Sequence, residues 1–259
     1  IPVFHDDQHG TAIVVLAGLI NACRVVDRAI GSLSVVVSGA GAAGVAVTQL
    51  LQLAGVTDIV VCDSRGIIGK HRHDLVAHKE MLAATTNVSG KTGTIGDALK
   101  GADVYIGVSG GTVPEEQVAS MADDCMIFAL ANPTPEVHPD LAHKYAAVVA
   151  TGRSDFPNQI NNVLAFPGVF RGLLDADAED VTIEMLIRAA DAIAAVVKDE
   201  EINPSYIIPS VFHPDVADAV AVAIAGEGKT SAGATGPIKV GSRSTAAPVD
   251  ETGALPRLR

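Results

Sequence analysis

Apolar residues along this chain follow two alternating spacings. Short apolar runs at 33–38, 58–62, 104–108, 126–130 and 146–150 have the length and continuity of strands buried on both faces. Between and around them the spacing turns helical. At 11–26, Ile13, Leu16, Ala17 and Ile20 recur at helical intervals, with no proline and only Gly18 among the glycines. Helical periodicity also marks 42–54, 114–121 and 139–145, with Pro114 and Pro139 at first-turn positions. Further helices are expected at 168–174, 182–197 and 215–225, forming a cover for one sheet face. The alternation predicts an α/β fold, a Rossmann-type doubly wound and mainly parallel sheet with helices on both faces. After Gly226 the periodicity stops. Residues 228–259 are rich in Gly, Ser, Thr, Ala and Pro and read as a mobile low-complexity tail, so one domain is expected over 1–227. There is no internal repeat.

Composition narrows the function classes. Of 259 residues, 48% are hydrophobic and 19% charged, enough apolar material for a sizeable core. A formal net charge of -12 would repel nucleic acid and anionic lipid, which leaves a small molecule as the expected partner. The apolar stretch at 12–22 is too short to span a bilayer and lacks a basic leader. Cys23, Cys62 and Cys125 lie far apart with no C-x-x-C pair, which fits a reducing cytoplasm. The chain opens at Ile1 directly on a polar motif, as a piece of a longer protein would.

Two motifs carry chemistry. The first, Ser38-Gly39-Ala40-Gly41-Ala42-Ala43-Gly44, places G-x-G-x-x-G between an expected strand and an expected helix. Gly39 would make the tight turn, Gly41 would let the backbone approach a pyrophosphate, and Gly44 would let helix and strand pack closely. The free N–H groups of Ala42 and Ala43 would face the phosphates. About twenty residues beyond, Asp63 ends the next strand, where a carboxylate can accept from an adenosine ribose. Without those flanking elements the pattern would be no more than a glycine-rich turn. Asp63 favours NAD, whereas Arg65 beside it could pair with the 2′-phosphate of NADP. Both cofactors remain open.

The second motif, His5-Asp6-Asp7-Gln8-His9-Gly10-Thr11, sets two carboxylates and two imidazoles before the first helix. Its oxygen donors suit Mg²⁺ or Mn²⁺. Two other readings stand beside that one: Asp6 or Asp7 as a helix cap, or zinc held by His5 and His9. One carboxylate cannot hold a divalent cation alone, so a metal here would need ligands from elsewhere.

Five segments in order resemble the C-terminal, NAD(P)-binding part of malic enzymes of bacterial type: residues 1–12, the glycine motif, Cys62-Asp63-Ser64-Arg65-Gly66, residues 128–134 around Asn132-Pro133-Thr134, and residues 158–168 around Asn161-Asn162. The resemblance implies oxidative decarboxylation of L-malate to pyruvate and CO₂ with reduction of NAD(P) and a divalent cation. It implies Asp7 as a metal ligand and Asp6 as the catalytic carboxylate beside the reacting centre. Ser64, Arg65 and Ser109 would join the glycine motif and Asp63 around the cofactor. Asn132 would touch nicotinamide and substrate, and one of Asn161 and Asn162 would bind a malate carboxylate. As plain residues, Asn132 and Asn158 are also good turn formers.

The chain departs from a complete enzyme of that family. The tyrosine acid, lysine base and two further metal ligands belong to an N-terminal domain that nothing here matches. Ser109-Gly110-Gly111-Thr112 also lacks the family's usual turn proline. The isolated chain is therefore expected to bind cofactor and turn over poorly, its partners being malate or pyruvate, the missing domain, and a second copy in a homodimer. Competing readings are a non-catalytic dinucleotide sensor, and an amino-acid or hydroxy-acid dehydrogenase sharing only the Rossmann half.

Overall fold

All five apolar runs become strands of one sheet. A computed structural model describes residues 3–226, so the tail expected at 228–259 lies outside the described residues. In chain order the elements are α1 (Thr11–Val25), β1 (Ser34–Ser38), α2 (Ala42–Leu53), β2 (Asp58–Asp63), β3 (Gly66–Ile67), α3 (Ala77–Thr85), α4 (Ile95–Leu99), β4 (Val104–Gly107), α5 (Glu115–Val118), β5 (Cys125–Ala129), α6 (Pro139–Ala142), β6 (Ala146–Thr151), α7 (Phe166–Asp175), α8 (Ile183–Val196) and α9 (Val216–Ala225). A π-helical turn, Asp6–Gly10, leads into α1, and a 3₁₀ turn, Asn162–Leu164, leads into α7.

The sheet has six strands in the order β3-β2-β1-β4-β5-β6. Pairing is parallel throughout except for β3, which runs antiparallel to β2. From β1 the chain moves outward to β2 and β3, then crosses back to place β4 on the other side of β1. Val35 thus pairs with Ile59 on one flank and Val104 on the other. Connections leaving the carboxyl ends of β1 and β4 diverge at that switch point and open a crevice above the sheet, where such folds take their ligands.

Each strand, though continuously apolar, feeds two cores by alternation. Val35, Val37, Ile59, Val61, Ile106 and Phe128 pack with α1, α2 and the C-terminal helices. Val36, Val60, Tyr105 and Ile127 pack with α4, α5 and α6. Helices therefore cover both faces, and the expected C-terminal cover lies on the first. α1 is buried all round from Ala12 to Leu19, as a helix enclosed by other elements must be. Its buried Asn21 donates to the Ala194 carbonyl at 2.9 Å and the Ile207 carbonyl at 3.0 Å, fastening α1 to α8. α7 lies close on α9: a Cβ on Gly172 would come 2.6 Å from the Ala221 carbonyl oxygen.

The sequence pattern did not anticipate β3, α3 or α4. The expected helix at 114–121 is a single turn, with Pro114 at the N-cap in extended conformation instead of inside the first turn. The helix expected at 139–145 ends at Ala142 with Pro139 at its first position. All three cysteines are free and buried, and their thiols are pushed up by that burial. No helix among the described residues is long and apolar enough to cross a membrane.

Candidate functional site

Three residues separate the end of β1 from the start of α2, which forces a tight turn. Gly39 meets it with a φ of +121°, a left-handed conformation that side chains other than hydrogen resist. Its N–H donates to the Cys62 carbonyl at 2.9 Å, tying the turn to β2. A Cβ on Gly44 would sit 1.8 Å from the Gly39 carbonyl oxygen, so helix and turn touch through that missing side chain. Gly41 is the opposite case, with nothing within 4 Å of where its Cβ would be. No side chain caps α2, so the N–H groups of its first turn, around Ala42 and Ala43, open onto that space. A pyrophosphate fits this cradle: close backbone approach at Gly41, and the donors and dipole of a twelve-residue helix.

At the carboxyl end of β2, Asp63 is built into an ion-pair cluster. Its carboxylate accepts from Arg72 Nη1 at 3.0 Å, Lys79 Nζ at 2.6 Å and the Arg65 N–H at 2.9 Å. Burial favours the neutral acid, but the hydrogen bonds from Arg72 and Lys79 outweigh it and hold the carboxyl down to about 2. Arg65 itself reaches away, pairing through Nη1 with Asp74 at 2.7 Å, and Ser64 is exposed. Sequence reasoning found Asp63 and Arg65 but missed Arg72, Lys79 and Asp74. The dense basic stretch from Lys70 to Lys79, unusual in so acidic a chain, was the available signal.

At the other end, the loop after β4 leans on the glycine turn. Ser109 Oγ donates to the Ser38 carbonyl at 3.2 Å, and a Cβ on Gly39 would come 3.0 Å from Ser109 Cβ. Asn132 is exposed just past β5, joined to Pro133 by a cis peptide. Ser109 and Asn132 therefore both stand at the carboxyl edge, in the loops that follow the adjacent strands β4 and β5.

The acidic turn packs against α2 on one side and the Asn162–Leu164 turn on the other. No side chain caps α1, whose N-cap position is Gly10, so Asp6 and Asp7 are not used as caps. Instead Asp6 Oδ2 accepts from Asn162 Nδ2, while Asp6 Oδ1 is buried without any partner. Burial, with the neighbouring Asp7 charge added, raises the Asp6 carboxyl above its ordinary value. Asp7 is exposed. Asn161 and Asn162 part company here: Asn161 Oδ1 accepts from the Val163 N–H at 3.1 Å as a cap, and Asn162 meets Asp6. Asn158 is buried in a structural role, donating to the Val149 carbonyl at 2.9 Å and the Pro204 carbonyl at 2.8 Å and accepting from the Ile207 N–H at 3.0 Å.

Metal binding is only partly provided for. The unpartnered Asp6 oxygen and the exposed Asp7 carboxylate have the donor chemistry of a Mg²⁺ or Mn²⁺ site. Yet among the described residues no group of three or more His, Cys, Asp or Glu is placed to hold a metal, so neither the oxygen set nor the His5 and His9 pair completes a site by itself. His9 Nδ1 accepts from the His5 N–H at 3.2 Å, and burial lowers the His9 pKa.

Fold and turn together define a dinucleotide-binding domain of the Rossmann type. A family model described as "Malic enzyme, NAD binding domain" matches residues 8–228. The NAD-dependent malic enzyme of Geobacillus stearothermophilus is 50% identical over 225 residues, which are 86% of this chain and 47% of that protein. The bifunctional malic/malolactic enzyme of Bacillus subtilis is 52% identical over 228 residues, 87% of this chain and 56% of its own length. The NADP-dependent malic enzyme of Escherichia coli is 44% identical over 257 residues, 92% of this chain and 34% of its own length. The crystal structure of NAD-dependent malic enzyme from Thermotoga maritima superimposes with a TM-score of 0.83 at 42% identity, covering 87% of this chain and 60% of that one. The chain belongs to the malic enzyme family as its NAD(P)-binding domain, and it spans about half the length of the first two curated relatives.

Proposed function

We propose that this chain supplies the dinucleotide-binding part of an enzyme that oxidatively decarboxylates L-malate to pyruvate and CO₂ while reducing NAD(P). One observation carries the reading: Asp6 and Asn162, 156 residues apart, are held in contact on a turn that packs against α2, the helix whose open start forms the phosphate cradle. In this reading a substrate carboxylate would sit at Asn162 and a phosphate at Gly41, the two linked through the acidic turn and α2.

The residues divide the work by chemistry. The turn from Gly39 to Gly44 would hold the pyrophosphate, with Asp63, Ser64 and Arg65 at the ribose and Ser109 and Asn132 at the nicotinamide. Bound NAD(P) would supply the acceptor for the hydride leaving malate C2. Asn132 and Asn162 offer amide donors that can fix the substrate's orientation. Asn161 has its oxygen committed to Val163, which leaves its NH₂ for the same purpose. Asp6, whose unpaired oxygen is buried against Gly10, would stand beside the reacting centre, and Asp7 would contribute one metal ligand. A Mg²⁺ or Mn²⁺ ion, when bound, would supply positive charge to the substrate oxygens. Proton transfers to and from substrate fall to the tyrosine and lysine that the family resemblance places outside this chain.

NAD is the cofactor this reading favours, because Asp63 stands where the ribose hydroxyls arrive. NADP stays admissible: Arg65 is exposed and could exchange Asp74 for a 2′-phosphate. The missing domain has a surface to meet. Phe166, Phe170 and Leu174 recur every four residues on α7, 44%, 40% and 78% exposed, directly after the Asn162 turn. An apolar stripe beside an incomplete site is what a removed partner domain would leave. A homodimer and a cytoplasmic home belong to the same proposal, on the prevalence of twofold oligomers and on three unpaired thiols.

The test joins this chain to the complementary half of the Geobacillus relative and follows malate-dependent NAD(P)H formation with Mn²⁺. Turnover is expected, and Asp6→Asn, which removes a charge beside the reacting centre, should lower it about a hundredfold while leaving NADH affinity within about twofold. A folded fusion that binds NADH yet never oxidises malate would contradict the proposal.

A further inference from the structure

We infer that Glu136 is a positioning residue for the nicotinamide end of the dinucleotide, its carboxylate fastening the loop after β4 to the loop after β5. The inference rests on the dinucleotide-binding reading above. Glu136 lies in the Pro-Thr-Pro-Glu stretch after Asn132, where nothing in the sequence marks it, and only 2% of it is exposed. Among the described residues no Lys, Arg or His forms an ion pair with it. A carboxylate buried without a cation is costly, and it persists only where hydrogen bonds compensate.

Here the compensation comes from two loops. Oε1 accepts the Ser109 N–H at 3.1 Å, and Oε2 accepts the Ala131 N–H at 3.2 Å. The Glu136 carbonyl also accepts the Val113 N–H at 2.8 Å, so the backbone of the same residue grips the far end of the β4 loop. The strand leaves room for this arrangement, since a Cβ on Gly107 would lie 2.5 Å from Glu136 Cδ.

The two loops are the ones that matter for a bound nicotinamide. Ser109 is hooked to the glycine turn through the Ser38 carbonyl, and Ala131 is the residue before Asn132. A continuous path therefore runs from the phosphate cradle through Ser109 and Glu136 to Asn132. Its effect is to set the spacing between the turn that holds the pyrophosphate and the side chain proposed to touch nicotinamide. A carboxylate suits the task because it offers an acceptor to each N–H. A glutamine offers one acceptor, and its NH₂ would face the second N–H donor to donor.

Two ligands separate positioning from general support. NADH carries the nicotinamide and ADP-ribose lacks it, while both fill the phosphate and adenosine ends. In calorimetric titrations of this chain, E136Q should weaken NADH about tenfold and ADP-ribose less than about twofold. G107A, which presses on the same carboxylate from β4, should give the same split and serves as the second probe should E136Q fail to melt cooperatively. Equal loss for both ligands, or no loss for either, overturns the inference while leaving the dinucleotide site standing. Failure of the unaltered chain to bind either ligand overturns the dinucleotide reading itself, and this inference with it.

Discussion

The turn after β1 leads into α2 and the acidic turn before α1 packs against that helix, yet the first has its backbone donors in place while the second has a buried carboxylate oxygen without a partner. In the first, each glycine has its own reason: Gly39 a left-handed φ, Gly44 contact with the Gly39 carbonyl, Gly41 the open space where its Cβ would be. Its donors are backbone N–H groups that need nothing further to face a phosphate. In the second, a buried Asp6 oxygen has no partner, Asp7 is exposed, and an apolar stripe on α7 stands open. A backbone-built site completes itself when its two elements pack. On the proposed function, a side-chain site shared with a second domain would stay short of ligands until that domain is joined.

The comparison breaks most visibly at Gly44. Gly44→Val would drive a branched side chain into the Gly39 carbonyl, at a cost of about 3 kcal/mol or more, and NADH binding should be lost along with several degrees of melting temperature. Retention of full affinity would mean that the turn is not the phosphate cradle.

Acid pH probes the ion-pair cluster around Asp63. Asp63 has a carboxyl held at about 2 against an ordinary 3.8, so its ion pairs stabilise the fold fully above the ordinary value and progressively less as pH falls toward 2. The contribution is about 1–2 kcal/mol once screening by solvent is allowed for. Melting temperature measured between pH 5 and 2 should therefore drop less steeply for Asp63→Asn than for the unaltered chain. Parallel curves would remove the cluster from the account.

The smallest effect belongs to the unfinished region. Leu174→Ser should change the stability of this chain by less than about 0.5 kcal/mol, because an exposed leucine has little burial to lose. In the fused enzyme the same change should cost more, and the difference between the two melts measures how far the other half covers α7.

Much of this was legible before any coordinates, for physical reasons. A strand buried on both faces must be continuously apolar, so β1, β2, β4, β5 and β6 announce themselves. The glycine turn is equally visible, since Gly39 needs a left-handed φ and Gly44 a missing side chain, two demands that only glycine meets. Two-residue β3 is too short to carry a period. α3 buries only Leu82 and Ala83 and shows an otherwise polar face, including His78, Lys79 and Glu80. Pro114 suits an N-cap as well as a first turn, and its extended ψ of 149° decides between them.

The site residues divide in the same way. Asp63 could be placed by its distance from the glycine turn, but its pairing with Arg72 and Lys79 depends on how the segment after β3 folds back. The different placements of Asn161 and Asn162 depend on a 3₁₀ turn that takes one side chain as its cap and turns the other toward Asp6. Glu136 carried no motif at all, because what it binds is main chain.

The claim that the dinucleotide site is complete in this chain while the malate site is not can be tested by a pair of titrations on the unaltered protein. NADH should bind saturably at one site per chain, and malate with Mn²⁺ should give no saturable heat until the complementary half of the enzyme is joined. No binding of NADH, or malate binding by the isolated chain as tight as by the joined protein, would contradict the account.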